Sequence, residues 1–143
     1  MTRADLLAFM RQTPYWVQAT VASTGAPQAA VVGVVVTDDL ELFFDTLSTS
    51  RKFENLRLNP RAAFVMWEGE RTVQYEGMAD EPQGEELARL KRLYFSRFPN
   101  GRRREQWPDT VYLRVKPSWL RYSDFGGGEL SIIELREADL NTK

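Results

Sequence analysis

ELFFDTLSTSRKFENLRLNPRAAFVMW, residues 41–67, joins two apolar strand patterns through one short helix pattern. Apolar and β-branched residues predict strands over residues 40–46 and 61–68. Between them, residues 51–56 space their apolar side chains three apart, as on one face of a helix. The helix is expected to end before Pro60, because proline disfavours helical backbone in the residue that precedes it. The stretch therefore predicts a strand, a short helix and a second strand in direct succession.

Further short strand patterns flank this stretch. Turn residues such as glycine, serine and aspartate separate the apolar runs, as is typical of all-β domains. Apolar and β-branched runs predict additional strands over residues 15–22, 27–37, 72–79, 111–122 and 130–135. In the first half of the chain the predicted strands recur about every 10–12 residues. Six or seven such strands favour a mainly β protein built as a small antiparallel barrel.

Only two or three helices accompany the predicted strands. A capping-box spacing near the N-terminus predicts a first helix over residues 3–12. Apolar residues at helical spacing predict a longer helix over residues 84–98. The polar residues 136–143 are expected to form a flexible tail. Because no repeat or linker interrupts the chain, residues 1–143 are interpreted as a single domain.

The composition excludes several classes of chemistry. The chain carries 19 Lys and Arg against 20 Asp and Glu, whereas a nucleic-acid-binding surface needs a basic excess. It contains no cysteine and no histidine, which excludes disulfides, thiol nucleophiles and histidine bases. No metal site is expected either. An enzyme of this composition depends on carboxylates, lysine, tyrosine or a bound cofactor.

The hydropathy pattern gives no sign of a membrane partner. No segment approaches the roughly 18 apolar residues that a membrane-spanning helix needs. The opening residues, MTRADLLAFMRQTP, lack a long apolar run, so we expect no signal peptide. Together with the lack of cysteine, these features favour a cytoplasmic protein.

The segment that carries the most chemistry is DTLSTSRK, residues 45–52, where a strand ends and a helix begins. A helix N-terminus offers unpaired N–H groups and the positive end of the helix dipole. Thr46 and Ser50 add hydroxyl groups. Arg51 can bind two phosphate oxygens at once, and Lys52 adds a further positive charge. Because two cations in the first helical turn oppose the dipole, the pattern favours an anionic ligand such as a phosphate monoester.

A purely structural role for the same residues stays open. Ser50 is a residue type that caps helices well. Arg51 and Glu54 are spaced for a surface ion pair on one helix face. The residue chemistry alone does not separate this interpretation from phosphate binding.

With its surroundings, the stretch resembles the pyridoxamine 5′-phosphate oxidase-like superfamily of FMN-binding split barrels. The resemblance rests on the run S-R-K-x-x-N-L-x-x-N-P, from Ser50 to Pro60, between an F-x-T strand and a strand ending in YEGMA. It extends to the preceding hairpin and to LRVKPSWLRYSDF, and so spans about residues 15–125. The resemblance implies a six- to seven-stranded antiparallel split β-barrel.

The resemblance also implies where FMN is held. Ser50, Arg51 and Lys52 correspond to the turn that binds the FMN phosphate. Thr46 is implied to lie beside the phosphate and the ribityl chain. The backbone of the second strand is implied to pass along the isoalloxazine ring, and its residues there are Val31, Val32, Gly33 and Val34.

In this superfamily a second subunit often completes the site. The dimer mate contributes a polar residue from the start of its fifth strand. Thr72 is nearest to that position, and Gln74 lies on the same face two residues on. A homodimer with FMN at the shared interface is therefore expected.

The chain departs from the pyridoxamine phosphate oxidase pattern in two places. That oxidase carries R-x-x-x-x-K on its second strand, which is uncharged here, and an R-x-H motif, which a chain without histidine lacks. Tyr94 and Arg97 are similar to its substrate-phosphate helix, although the spacing of Tyr94 favours a core position. We therefore expect FMN-dependent oxidoreduction of a different small molecule, and no catalytic residue is assigned.

Two other functions stay open. Related split barrels hold the deazaflavin F420 in the same groove. The polyglutamate tail of F420 could follow Arg102, Arg103 and Arg104, which otherwise form a solvated loop. The second alternative is a flavin-binding or stress-related protein without turnover. A haem-binding role is disfavoured, because the chain has no histidine to ligate iron.

Overall fold

The computed structural model describes residues 1–141, which form eight strands and five helices. The strands are β1 (Tyr15–Val21), β2 (Pro27–Gly33), β3 (Val35–Val36), β4 (Leu42–Leu47), β5 (Arg61–Glu68), β6 (Arg71–Asp80), β7 (Thr110–Asp124) and β8 (Ser131–Arg136). The helices are α1 (Arg3–Met10), α2 (Arg51–Leu58), α3 (Gly84–Arg97), α4 (Gly101–Arg104) and α5 (Glu137–Leu140). Within the described residues, none of these helices is long and apolar enough to cross a membrane. The mainly β class is confirmed.

The strands form one antiparallel sheet. Their order is β2-β1-β5-β6-β7-β4-β3, and β8 pairs with β7 outside this path. β2 and β3 follow one another in the chain and yet lie at opposite ends of the order. The sheet must therefore curl so that the chain can connect its two ends. The result is a half-barrel, which confirms the predicted split β-barrel.

The predicted strand over residues 27–37 is divided into β2 and β3, and this corrects the prediction. β2 pairs with β1, whereas β3 pairs with β4, so the chain leaves one partner before it reaches the other. At the break, the N–H of Val34 donates to the carbonyl of Pro14 at 2.8 Å. The apolar run gave no sign of the break, because Val34, Val35 and Val36 are all buried.

Aromatic side chains fill the centre of the half-barrel. Trp16, Phe64 and Tyr75 meet edge to face, with ring centroids between 5.8 and 6.4 Å apart. The Tyr75 hydroxyl is within hydrogen-bond distance of the Leu40 and Val115 carbonyls, at 2.8 and 3.1 Å. Burial of such rings contributes much of the hydrophobic stabilisation, and the hydroxyl bonds satisfy the polar end of Tyr75. These contacts fix β6 between its neighbours in the sheet.

Both ends of the chain differ from the predicted boundaries. α1 has the predicted capping box, but it ends at Met10 instead of residue 12. Residues 137–140, predicted as part of a flexible tail, form α5, and Leu140 packs against the core. Leu140 is the apolar side chain through which the otherwise polar helix α5 contacts the core. Residues 142–143 of the predicted tail lie outside the described residues.

Candidate functional site

A cleft of about 580 Å³ lies between β2, the end of β4 and the segments that follow α3. Val31, Val32 and Gly33 line it from β2, and Phe98 and Trp107 line it from beyond α3. Its volume falls in the range of roughly 300–1,000 Å³ that is common for small-molecule sites. The aliphatic and aromatic part of this lining suits a planar ring system, and Asp45, Lys52 and Arg104 contribute charged groups to the rest of it.

A smaller cavity of about 150 Å³ adjoins the cleft at Lys52, which lines both. Ser50 and Arg51 line the small cavity from the start of α2, and Gln18 and Gln28 line it from β1 and β2. Its lining combines two cations with hydroxyl and amide groups. This small cavity therefore has the size and polarity for a compact anionic group.

Hydroxyl groups hold the turn between β4 and α2. Ser50 is the N-cap of α2, and its Oγ accepts from the N–H of Phe53 at 3.3 Å. The same Oγ lies 2.7 Å from the Leu47 carbonyl, to which it donates, and 3.1 Å from the Thr46 hydroxyl. The structural role of Ser50 as a helix cap is thus confirmed. These bonds therefore hold Arg51 and Lys52 in place as the first two residues of α2.

Charge in this turn is unbalanced. Neither Arg51 nor Lys52 forms an ion pair among residues 1–141, so the alternative surface pair between Arg51 and Glu54 is not made. Burial lowers the pKa of the half-buried Lys52, an effect that Asp45 opposes. Both cations also lie at the positive end of the α2 dipole. A bound anion would relieve both unfavourable interactions.

Sequence reasoning missed a hydrogen-bond network in the wall of the cleft. Asp45 accepts from the Tyr94 hydroxyl at 3.0 Å and from Arg104 Nε at 2.7 Å. Arg104 Nη2 also donates to the Tyr94 hydroxyl at 3.3 Å. Burial raises the pKa of Tyr94, and the Asp45 carboxylate raises it further. Tyr94 is therefore both a buried residue of α3, as its spacing predicted, and a polar group of the cleft.

The arginine run after α3 is a short helix instead of a loop, and Arg102 and Arg103 are exposed to solvent, as the sequence interpretation expected. This helix is α4, and its first residue, Gly101, packs so closely on Phe95 that a Cβ there would lie 3.1 Å from the Phe95 ring. Arg104 pairs with Asp45, and the guanidinium of Arg102 lies 5.1 Å from the centroid of the Phe95 ring. The three arginines therefore do not form a continuous basic path.

The two cavities bring together most of the predicted cofactor-binding residues. The cleft includes Val31, Val32, Gly33, Thr46 and Lys52, and the small cavity includes Ser50, Arg51 and Lys52. Val34 is buried and lines a different cavity, beside Met10 and Leu93. Thr72 and Gln74 lie on β6, away from both cavities of the same chain.

Thr72 and Gln74 belong to an unpartnered, largely apolar surface of the sheet. Across β2, β1, β5 and β6, residues 31, 17, 65 and 74 are direct neighbours in the register. Val31 is 67% exposed and Trp67 is 56% exposed. Contiguous exposed apolar surface of this kind marks interaction sites. We define this outer face by Val17, Val31, Val65, Trp67, Thr72 and Gln74.

Polar side chains near the two cavities lack hydrogen-bond partners in the described part of the chain. The hydroxyl of Thr110, which lines the cleft, is one of these buried groups. Both polar atoms of the Gln18 amide, beside the small cavity, are others. Buried polar groups are rarely left unpaired in native proteins unless a ligand, an ion or water satisfies them.

The family model and the curated relatives that match this chain carry the same family description. A model described as pyridoxamine 5′-phosphate oxidase matches residues 2–124. Pyridoxine/pyridoxamine 5′-phosphate oxidases from Bordetella avium and Salinibacter ruber are each 37% identical over 91 residues. The match covers 62% of this chain, but 41% and 40% of those two proteins. The chain thus spans about two fifths of the length of these curated relatives.

Solved structures share the fold at low sequence identity. A heme binding protein from Mycobacterium smegmatis aligns with a TM-score of 0.84 and 17% identity, over 98% of this chain and 60% of that chain. A pyridoxamine 5′-phosphate oxidase-related, FMN binding protein from Nostoc punctiforme aligns with a TM-score of 0.66 and 15% identity, over 93% and 94%. At these identities the likeness shows the fold alone.

Proposed function

The chain belongs to the pyridoxamine 5′-phosphate oxidase family, and from that premise we propose that it is an FMN-dependent oxidoreductase acting on a small molecule. The observation that carries the proposal is the junction of the cleft and the small cavity at Lys52. One cavity suits a ring system, and the other suits the phosphate that a flavin mononucleotide carries. FMN supplies hydride chemistry at its ring, so a chain without histidine or cysteine has to supply only binding and orientation.

The residues of the small cavity fit the phosphate end of FMN. Arg51 and Lys52 have no competing ion pair among residues 1–141 and together supply two positive charges. In our proposal they bind the phosphate oxygens together with N–H groups at the start of α2. Ser50 and Thr46, which are bonded to each other, position this turn.

The residues of the cleft fit the ring end. β2 is an edge strand, and its backbone alternates between bonds to β1 and groups that point to the free edge. The N–H and C=O groups of Val31 and Gly33 point to that edge and can bond a ligand. The unpartnered hydroxyl of Thr110 offers a further polar contact. The pairing of Arg104 with Asp45 holds α4 against β4 and so keeps this side of the cleft in place.

A homodimer completes the site in this proposal. The outer face exposes apolar side chains that a second copy would cover, and it borders the cleft at Val31. Thr72 and Gln74 lie on the same face and do not line the cleft of their own chain, and in this proposal they serve the site of the partner. We therefore propose two FMN sites per dimer, each built from both subunits.

The spectrum of the purified protein tests the proposal. We expect flavin absorption, and a ligand with the mass of FMN after denaturation. A ligand with the mass of F420 would instead support the deazaflavin alternative, although the arginine run gives its tail no continuous basic path. FMN that stays oxidised with every electron donor tried would favour a flavin-binding protein without turnover.

Pyridoxamine 5′-phosphate oxidase activity is expected to be absent. The Tyr94 hydroxyl is engaged by Asp45 and Arg104, and Arg97 Nη2 donates to the Arg11 carbonyl at 3.2 Å. The uncharged β2 and the missing R-x-H motif leave the substrate ring without its usual contacts. A misplacement of about 1 Å can cost on the order of 100-fold in rate.

The formation of pyridoxal 5′-phosphate measures this activity. Chemical reduction of the bound flavin is the control, because it shows that the cofactor itself is competent. Turnover at roughly 1 s⁻¹ or faster would mean that other residues replace the missing motif.

A further inference from the structure

Gln18 carries a buried amide that has no assigned role and no hydrogen-bond partner in the described part of the chain. Its side chain is 1% exposed, and neither Nε2 nor Oε1 has a hydrogen-bond partner within residues 1–141. Such a group lowers the stability of the folded chain, because it has given up its bonds to water without replacing them. A buried amide that carries this cost beside a cavity is a candidate for ligand binding.

The neighbours of Gln18 identify what it can bind. The residue lies on β1, paired with Ala30 on β2, and it is one of the residues that line the small cavity, together with Arg51 and Lys52. The methyl side chain of Ala30 leaves room in this cavity. A longer side chain there would compete with a ligand for the same space.

The other polar groups from these strands are already engaged. Asn55 Nδ2 donates to the Thr20 hydroxyl at 3.0 Å and to Gln28 Oε1 at 2.9 Å. The Thr20 hydroxyl and Gln28 Oε1 therefore have a partner without a ligand. Among the described residues that line the small cavity, Gln18 is the one whose polar side-chain atoms are both buried and without a hydrogen-bond partner.

We propose that Gln18 binds the phosphate-bearing end of the ligand, with Nε2 donating to a phosphate oxygen that Arg51 and Lys52 also hold. The identity of the ligand as FMN rests on the proposed function, whereas the phosphate chemistry does not. Two cations already match the charge of a phosphate dianion. A further ligand group therefore needs only to donate a hydrogen bond, which a neutral amide does without adding charge.

This role predicts opposite effects on the free and the bound protein. Gln18→Met keeps the length of the side chain and removes its polar atoms. The ligand-free variant should melt about 2 °C or more above the parent, because no unpaired amide is buried. The same variant should bind FMN about 10-fold or more weakly, because a hydrogen bond to a charged group is lost. A residue with a merely structural role would not separate these effects.

The experiment measures melting temperature and affinity for the parent, Gln18→Met and Gln18→Glu. FMN, riboflavin and inorganic phosphate are the three probes. We expect Gln18→Met to lose FMN affinity while it keeps riboflavin affinity, and Gln18→Glu to lose more, because its carboxylate repels the phosphate. Inorganic phosphate should raise the melting temperature of the parent more than that of Gln18→Met. Gln28→Met is the matched control, and it should lower the melting temperature, because it breaks the bond from Asn55.

The possible outcomes distinguish failure of the proposed role of Gln18 from failure of the proposed function. Failure of the parent to bind FMN would overturn the proposed function, and the phosphate probe would still decide the role of Gln18. Equal stabilisation of the parent and Gln18→Met by phosphate would overturn that role. So would a ligand-free Gln18→Met that melts below the parent, since the amide would then have a partner without a ligand.

Discussion

Replacing Arg51 with alanine is expected to weaken FMN binding about 10- to 150-fold, which corresponds to about 1.5–3 kcal/mol. This is the usual contribution of a hydrogen bond to a charged group. Arg51 lines the small cavity, is exposed and has no ion pair within residues 1–141, so its removal leaves the core intact. Titration of flavin fluorescence measures the change in affinity.

Two controls make the result specific to the phosphate. Arg57→Ala removes an arginine from the same helix, but Arg57 lies over the Phe53 ring and lines neither of the two cavities. We expect it to bind FMN like the parent. Riboflavin, which has no phosphate, should bind Arg51→Ala and the parent alike. Equal FMN affinity in Arg51→Ala and the parent would place the phosphate elsewhere.

Replacing Val17 with arginine is expected to separate the dimer and to abolish most FMN binding. Val17 lies between Val31 and Val65 in the middle of the outer face. An unpaired charge buried at an interface costs about 3–5 kcal/mol, and a two-fold axis would bury one in each subunit. Without the partner, each cleft also loses the contribution that we assign to Thr72 and Gln74. Light scattering and flavin titration on the same sample measure both effects.

The control for this variant is the same substitution at an apolar residue outside the outer face. Leu58, at the end of α2, is 66% exposed, and Leu58→Arg should leave both assembly and FMN binding unchanged. The circular dichroism of Val17→Arg should match that of the parent, because Val17 is only half-buried in a single chain and its side chain points to the outer face. A monomeric Val17→Arg that binds FMN with parental affinity would contradict a site shared by two subunits.

Local patterns predicted most of the elements. Apolar alternation and turn residues placed β5 at the observed Arg61–Glu68, because both ends of that strand are marked by proline or glycine turns. The same reasoning placed the start of α2, since Ser50 is a strong helix cap and the strand before it is apolar. The division at Val34 was not predictable, because the chain changes strand partners there without any change in hydrophobicity.

The candidate site was predictable where it follows one continuous motif. Ser50, Arg51 and Lys52 lie in one turn, so their proximity follows from the sequence. The hydrogen bond between Asp45 and Arg104 joins residues that are 59 positions apart in the sequence, and no local sequence pattern predicts such a pair. Gln18 resembles any other polar residue in an alternating strand, and only the structure shows its amide to be buried without a partner. The cytoplasmic location stays a prediction from composition.

The division of the strand at Val34 also has a consequence for what holds the barrel closed. β6 and β7 share ten residue pairs, whereas β3 pairs with β4 at only two. The side chains at this closure are nevertheless deeply buried, since Val35, Val36, Leu42 and Phe43 are each at most 5% exposed. Closure there therefore depends more on apolar packing than on ladder hydrogen bonds. Because Val31, Val32 and Gly33 run directly into this closure, the hydrophobic core holds that wall of the cleft in place.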